Sequence, residues 1–276
     1  MLEIRSDTLP ATLAPRPPDC NKGDFGQVVI LGGAPGMAGA ALLAARAALF
    51  CGAGRVYAGL LDERIGLDPS TPELMVSHAA ASLSLTAPGC LVVGPGLGQS
   101  GAARALLWDA LTTELPLLLD ADALNLIAAD TTLRERAHAR NAPTLLTPHP
   151  GEAGRLLASN SAAVQRDRAG GVLRLSDEFH AVVVLKGAGT LIKAPGGEIR
   201  RNSSGNPALA APGMGDVLAG IIAALIAQGM AAEAAAVVGV WLHGAAADQA
   251  VAEGIGPRGL TASELPPRVR RLINSL

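Results

Sequence analysis

The sequence predicts an α/β fold in which helices cover both faces of a mostly parallel sheet. Three observations carry that expectation. Short, continuous apolar runs recur along the chain, each ending in a glycine- or proline-bearing turn and most followed by a helical pattern; strands this apolar are covered on both faces, as in a parallel sheet. With 276 residues, 49% hydrophobic and 17% charged, the chain can bury a large core in one α/β domain. Aromatic residues make up only 2% while glycine numbers 33, so the layers must close through small aliphatic side chains and near backbone contact.

Residues 1 to about 24 read as an N-terminal arm, because PRPPDCNKGD mixes proline and polar residues without periodicity. From there Gln27 to Leu31 (QVVIL) is a strand, Gly32 and Gly33 turn the chain, and Met37 to Phe50 is an Ala/Leu-rich helix closed by Gly52 and Gly54. The same order returns in CLVVGPGLG (90–98), with a helix through Trp108, and in PLLLDADAL (116–124) and PTLLTPHPGE (143–152), each with a helical stretch behind it. AVVVLKGAGTLI (181–192) is expected to be a longer strand with a turn inside, and PGGE (195–198) a hairpin turn before a return strand near Ile199. Two Ala-rich helices, about 216–228 and 232–252, finish the core. Nothing marks a boundary, so residues 1–276 are expected to form a single domain.

A formal charge of -2 offers no excess positive field for nucleic acid, and the short Arg268, Arg270, Arg271 cluster is expected to line a solvated helix face. Cys20, Cys51 and Cys90 are odd in number and far apart, which suits buried thiols in a reducing compartment rather than disulfides or a metal site. The start, MLEIRSDTLPATLAP, has no apolar stretch of signal-peptide length. The longest helix-like apolar run, Val217 to Ala227, has roughly half the ~20 residues a membrane crossing requires. A soluble, cytoplasmic protein without nucleic-acid or membrane partners is expected.

Ligands of open parallel sheets bind beyond the carboxyl ends of the strands. The unusual turns of this chain fall at that edge: GGAPGMAG (32–39), GPGLG (94–98), DADALN (120–125), TPHPGE (147–152), KGAGT (186–190) and APGMGD (211–216). Each alone has a bland reading. GPGLG and KGAGT can be loop geometry, His149 between two prolines can be a rigid, hydrogen-bonded loop residue or a ligand group, and Asp120 and Asp122 read as strand-end and helix-capping residues. Asp216 can likewise be a cap. Alternatively, Gly213 and Gly215 bare consecutive amides, the helix near Val217 adds its positive end, and the turn cradles a phosphoryl group while Asp216 orients an attacking hydroxyl. The helix end would favour ionised Asp216, a weaker proton acceptor suited to late proton transfer.

Seven pieces, KGDFGQVVILGG, VVGPGLG, LLDADALNLI, TPHPGE, VVLKGAGTLI, NSSGNPALA and GMGDVLAG, stand in one order from about Lys22 to the final helix. In that order they resemble the NAD(P)H-hydrate dehydratase family, whose fold is a ribokinase-like three-layer α/β/α sandwich. The resemblance implies that ADP, or ATP in some members, phosphorylates the ring hydroxyl of the (S)-hydrate of NADH or NADPH, after which phosphate leaves and the reduced cofactor is restored. By motif, Ala40, Gly98, His149 and Asp216 would contact the hydrate, with Asn206 an additional polar contact and Asp216 the catalytic carboxylate. Lys186, Gly187, Ala188, Gly189, Thr190 and Gly215 would hold the adenine nucleotide, with Gly213 in the phosphate turn, and Glu152 would organise Mg2+ through water. The epimerase domain often fused upstream is expected to be a separate protein here, and a homo-oligomer, dimer or tetramer, is expected.

Where many relatives read close to ATGGTGD this chain reads AAPGMGD, so Ala211, Pro212 and Met214 replace Thr, Gly and Thr. Two hydroxyls are lost, while the backbone donors remain. Two other readings stay open: an ATP-dependent kinase of a small vitamin-precursor alcohol, hydroxymethylpyrimidine or thiazole, and a catalytically inactive nucleotide sensor. GPGLG together with TPHPGE favours the dehydratase over the kinase; intact Asp216 and both glycines weigh against the sensor.

Overall fold

A computed structural model describes residues 1–10, 13–85 and 89–276. The arm opens with strand β1 (Leu2–Ile4), and the repeating unit begins with β2 (Gln27–Gly32), α1 (Ala38–Phe50) and β3 (Arg55–Leu60), then β4 (Met75–His78) and the short α2 (Ala79–Leu83). β5 (Gly89–Val93) leads to α3 (Gly101–Leu111), and β6 (Leu117–Leu119) to α4 (Asp122–Ala129) and α5 (Thr131–His138). β7 (Thr144–Leu146) precedes α6 (Pro150–Leu156), α7 (Ser161–Arg166) and α8 (Arg168–Phe179). β8 (Val182–Leu185), β9 (Leu191–Lys193) and β10 (Arg200–Asn202) follow, and α9 (Met214–Ala227), α10 (Ala232–Ala252) and α11 (Leu265–Ile273) close the chain.

Among the described residues the strands form one sheet in the order β1-β10-β9-β8-β7-β6-β5-β2-β3-β4. Every pair from β4 across to β8 is parallel, β9 runs antiparallel to both β8 and β10, and β1 lies parallel on β10. Side chains alternate across the strands, so β2 sends Val28 and Ile30 into one core and Val29 and Leu31 into the other. The first core is shared with α1, α9, α10 and α11, the second with α2 to α8. This is the three-layer, ribokinase-like sandwich that the family resemblance implies.

Three expectations need correction. The stretch 181–192 is two antiparallel strands rather than one, because Gly187 (φ +138) and Gly189 (φ +64) reverse the chain between β8 and β9. The arm is not wholly irregular: Leu2, Glu3 and Ile4 register with Arg200, Arg201 and Asn202, and Ile4 is buried. Arg268 does not face solvent. It is buried on α11, donating to the Glu264 carbonyl at 2.9 Å and to Glu253 at 2.8 Å, whereas Arg271 remains exposed. Cys51 and Cys90 are buried thiols as expected, and burial pushes both up to about 12, while Cys20 is half-buried. Among the described residues no helix is long and apolar enough to cross a membrane.

The chain leaves β2 towards β3 on one side and later returns beside β2 as β5 on the other, so the crevice between the loops after β2 and β5 is a topological switch point. The two loops are laced together: the Gly33 amide donates to the Pro95 carbonyl at 3.0 Å and the Ala34 amide to the Gly96 carbonyl at 2.7 Å. Helix α9 is seated with comparable closeness. A Cβ at Gly220 would lie 2.0 Å from the Ala44 carbonyl oxygen of α1. Overpacking against backbone cannot be relieved by a rotamer change, so Gly220→Ala is expected to lower stability by at least about 1–3 kcal/mol in chemical denaturation. An unchanged midpoint would contradict this α1–α9 contact.

Candidate active site

Helix α9 begins earlier than its sequence pattern suggests. Gly213 is its N-cap in the left-handed region (φ +83), which leaves Gly215 and Asp216 in the first turn rather than before it. The Val217 amide donates to the Gly213 carbonyl at 3.0 Å, so the amides ahead of it belong to the helix start, where no intrahelical acceptor is available. Asp216 is therefore not the cap of this helix. Met214 is buried with the α1–α9 core, while Pro212 is exposed; proline has no N–H, so the turn keeps the amides of Gly213, Met214 and Gly215 and offers none at position 212.

Lys186 enters this turn from the end of β8. Its Nζ donates to Asp120 Oδ1 at 2.7 Å and lies 3.9 Å from Glu152 Oε2. A Cβ at Gly215 would fall 3.3 Å from that Nζ and 3.8 Å from Asp120 Oδ2, so ammonium and carboxylate both press on the first turn of α9. The capping expectation for Asp120 and Asp122 is overturned. The N-cap of α4 is Ala121, at φ +49, while buried Asp120 reaches across to Lys186 and Asp122 accepts the Gly98 amide at 2.8 Å. Their partners lie far away in sequence, out of reach of local pattern. The available signal was an acid placed directly after three fully buried leucines of a central strand.

One ammonium thus stands among several carboxylates. Burial, then the charge of Asp120, pushes the Asp216 carboxyl up to about 7; Lys186 pulls the other way, and Asp122 and Glu152 add to the rise. This reverses the expectation that the helix end keeps Asp216 ionised: desolvation and like charge outweigh the dipole. Burial alone would lower Lys186, yet Asp120 and Glu152 move it upward on balance. Glu152 is raised by burial against the pull of Lys186.

His149 proves to be a hydrogen-bonded loop residue with an exposed face. Its Nδ1 accepts the Gly151 amide at 2.9 Å as the N-cap of α6, and Glu152 Oε2 accepts the His149 amide at 2.7 Å in return. Burial and the nearby Lys186 and Arg155 charges lower its pKa, favouring the neutral ring. Ala40 and Gly98 both lie at the switch point, where the GPGLG loop packs on the start of α1: a Cβ on Gly96 would touch the Ala40 Cβ at 3.2 Å, and one on Gly98 the Met37 side chain at 3.3 Å.

On the other side of Lys186 a cavity of about 580 Å³ opens, lined by Lys186 to Thr190, Asn206 and Gly215. Asn206 therefore shares the cavity of the KGAGT turn rather than the crevice of Ala40 and Gly98. Its Nδ2 donates to Asp248 at 2.9 Å and its Oδ1 accepts the Ala208 amide at 2.9 Å. Gly213 stays outside this cavity's lining, against Leu43 of α1. The same cavity contains Arg201 and His243, which the motif reading passes over. His243 is buried, and burial lowers it to about 4, so the ring is neutral.

The raised Asp216 pKa has a stability consequence. Ordinarily near 3.8, it titrates near 7 in the folded chain, so the folded state holds a proton that the unfolded state has released between those values. Stability from that proton is complete below the unfolded pKa and is lost as pH rises through about 7. Asp216→Asn, which cannot ionise, is expected to stabilise the protein at pH 8 relative to pH 4 by about 1–3 kcal/mol more than the unmodified chain. Denaturation midpoints at the two pH values check this, and equal differences would contradict the buried, charge-crowded carboxyl.

A family model described as NAD(P)H-hydrate dehydratase matches residues 28–266. The chain is 43% identical to an ADP-dependent (S)-NAD(P)H-hydrate dehydratase of Neisseria meningitidis, over 97% of this chain and 91% of that protein. It is 44% identical to a bifunctional NAD(P)H-hydrate repair enzyme of Coxiella burnetii, over 95% of this chain and 53% of that protein, and so spans about half the length of the bifunctional relative. The crystal structure of an ADP/ATP-dependent NAD(P)H-hydrate dehydratase from Bacillus subtilis, co-crystallised with ATP and Mg2+, matches with a TM-score of 0.83 at 32% identity, covering 96% of this chain and 94% of that one. Agreement of this extent in sequence and in fold makes the protein a member of the NAD(P)H-hydrate dehydratase family.

Proposed function

We propose that the protein is a lyase of nicotinamide cofactor repair: an ADP-dependent dehydratase that returns the (S)-hydrate of NADH or NADPH to the reduced cofactor, releasing AMP and phosphate. The observation that carries this reading is the meeting of Lys186 and the first turn of α9 at Gly215, with Asp216 beside them, between a cavity of nucleotide size and the crevice of Ala40 and Gly98. Lys186 to Thr190 and Gly215 hold ADP in the cavity, with Asn206 at its wall and Gly213 setting the turn. Ala40, Gly98 and His149 hold the hydrate. GPGLG thus serves as loop geometry and as the crevice wall at once.

The ring hydroxyl of the hydrate loses its proton to an Asp216 oxygen as its own oxygen bonds the β-phosphorus of ADP, and the bond from that phosphorus to the bridging oxygen of AMP breaks. A carboxylate with a pKa near 7 is a better base at neutral pH than an ordinary aspartate. The phosphorylated hydrate then releases phosphate while the ring nitrogen supplies electrons, and loss of a proton from the adjacent carbon restores the ring double bond. Hydroxide leaves poorly from such a carbon; phosphate leaves readily.

Mg2+ fits the residues present as an outer-shell guest. Buried Glu152 has Oε2 engaged by the His149 amide, and among the described residues no group of three or more His, Cys, Asp or Glu could hold a metal directly. Mg2+ usually keeps several waters and takes one or two carboxylates beside substrate phosphates, which matches Glu152 acting through water. Bound there, it would neutralise charge on the nucleotide phosphates. In this reading residues 1–276 work as a single domain with residues 1–24 as its arm, as a cytoplasmic homo-oligomer, on (S)-hydrate that an epimerase activity supplies.

Purified protein with (S)-NADPH hydrate, ADP and Mg2+ is expected to restore reduced-nicotinamide absorbance; a stable phosphorylated product, or no return with either ADP or ATP, would reject the reading. Asp216→Asn is expected to lower kcat by roughly 10²–10⁴ with ADP binding retained. For the unmodified protein kcat/KM rises with pH through about 7 as Asp216 releases its proton, and a profile flat from pH 5 to 8 would remove Asp216 as the base.

A further inference from the structure

The Lys186–Asp120 pair is arranged in a way that stability alone does not explain. A positive side chain is disfavoured beside the start of a helix, whose bare amides are themselves positive. Yet the Lys186 Nζ stands where a Cβ on Gly215 would meet it at 3.3 Å. The group that keeps it there is Asp120, at 2.7 Å across the end of β7, from β6 to β8. Glu152 is a poor substitute, since it is 3.9 Å from the ammonium and its nearer oxygen is committed to the His149 amide. Two positive elements meeting at the mouth of a cavity together favour an anion set beside both of them.

Building on the proposed function, we infer that Asp120 is a positioning residue: it clamps the Lys186 ammonium against the first turn of α9, so that ammonium and amides together receive the phosphoryl group that ADP gives up. Asp120 touches neither substrate. It acts through Lys186, whose side chain has several rotatable bonds and would otherwise swing away from the helix start towards solvent or the other carboxylates. The phosphoryl in transfer is the β-phosphate of ADP, which AMP lacks, so the clamp discriminates between the two nucleotides.

The test compares Asp120→Asn, Lys186→Met and the double variant, using ADP and AMP as binding probes and (S)-NADPH hydrate with ADP for turnover. Removing one electrostatic element aimed at transferring charge typically costs about 10²-fold or more in kcat, and that loss is expected for D120N, with KM for the hydrate within about threefold. AMP affinity stays within about twofold while ADP loses about tenfold relative to it, because only ADP presents the missing group. In the Lys186→Met background, where both charges of the buried pair are gone, D120N is expected to cost no more than about threefold further, the non-additivity of residues acting through one another. The inference is overturned by D120N turnover close to normal, by AMP affinity falling in step with kcat, or by an equal cost of D120N with and without Lys186. Should the unmodified protein fail to convert the hydrate, the proposed function falls, and the ADP-to-AMP affinity ratio in D120N still decides the clamp.

Discussion

A single ammonium ties three separate strand ends to the start of one helix. Lys186 follows β8, its closest partner Asp120 follows β6, Glu152 stands in the first turn of α6 behind β7, and Gly215 of α9 lies against them. The charges do not balance. Asp122 answers to the Gly98 amide and Glu152 to the His149 amide, so each of these carboxylates has a donor fixed in place, and Asp120 has Lys186 itself. Asp216 has the weakest claim on any of them while being largely desolvated, and it is the one pushed up to about 7. Crowding carboxylates around one cation is a common route to a carboxyl that takes protons near neutrality.

That arrangement requires the helix start to be held in a fixed place, and the packing supplies it. Gly220 brings α9 against the backbone of α1, and Gly94 makes a similar approach at the end of β5, where a Cβ would fall 1.7 Å from the Asp120 carbonyl oxygen. Close approach at Gly94 fixes the backbone that carries Asp120; close approach at Gly220 fixes the helix that carries Asp216. The scarcity of aromatic side chains and the abundance of glycine therefore have a mechanical meaning. Layers joined by small residues cannot shift without backbone collision, whereas layers joined by rings could repack.

The replacement of Thr by Met at position 214 belongs to the same logic. The methionine side chain is buried with Leu218, Ala219 and the α1 alanines, adding apolar contact where α9 meets its neighbours, while the amides of the turn are untouched. In the proposed reading, a phosphate site built from backbone donors and an ammonium tolerates such a change better than one built from hydroxyls. His243, neutral and buried at the cavity wall, adds no charge to the cavity, leaving Lys186 and Arg201 as its cations.

The apolar runs and their glycine turns were sufficient to read β2, β5, β6, β7 and β8, the helices α1, α9 and α10, and the set of turns at the carboxyl edge, because these depend on local period and on burial of both strand faces. Strands β1, β3 and β4 were not legible: β1 and β4 are edge strands with exposed residues, and RVYAGL of β3 follows directly on a glycine turn that reads as loop. Within the site, the identities of Asp216, Gly215 and Lys186 came from motif. The partner of Asp120, the position of Asn206 on the wall of the nucleotide-sized cavity and the proton affinity of Asp216 came only from the folded chain. Lys186 and Asp120 are 66 residues apart, and a pKa depends on every charge and every excluded water around the group. Sequence by itself determined which residues could do chemistry and on which edge of the sheet they stand; the tertiary structure decided which of them meet, since desolvation and ion pairing are set by neighbours in space and not by neighbours along the chain.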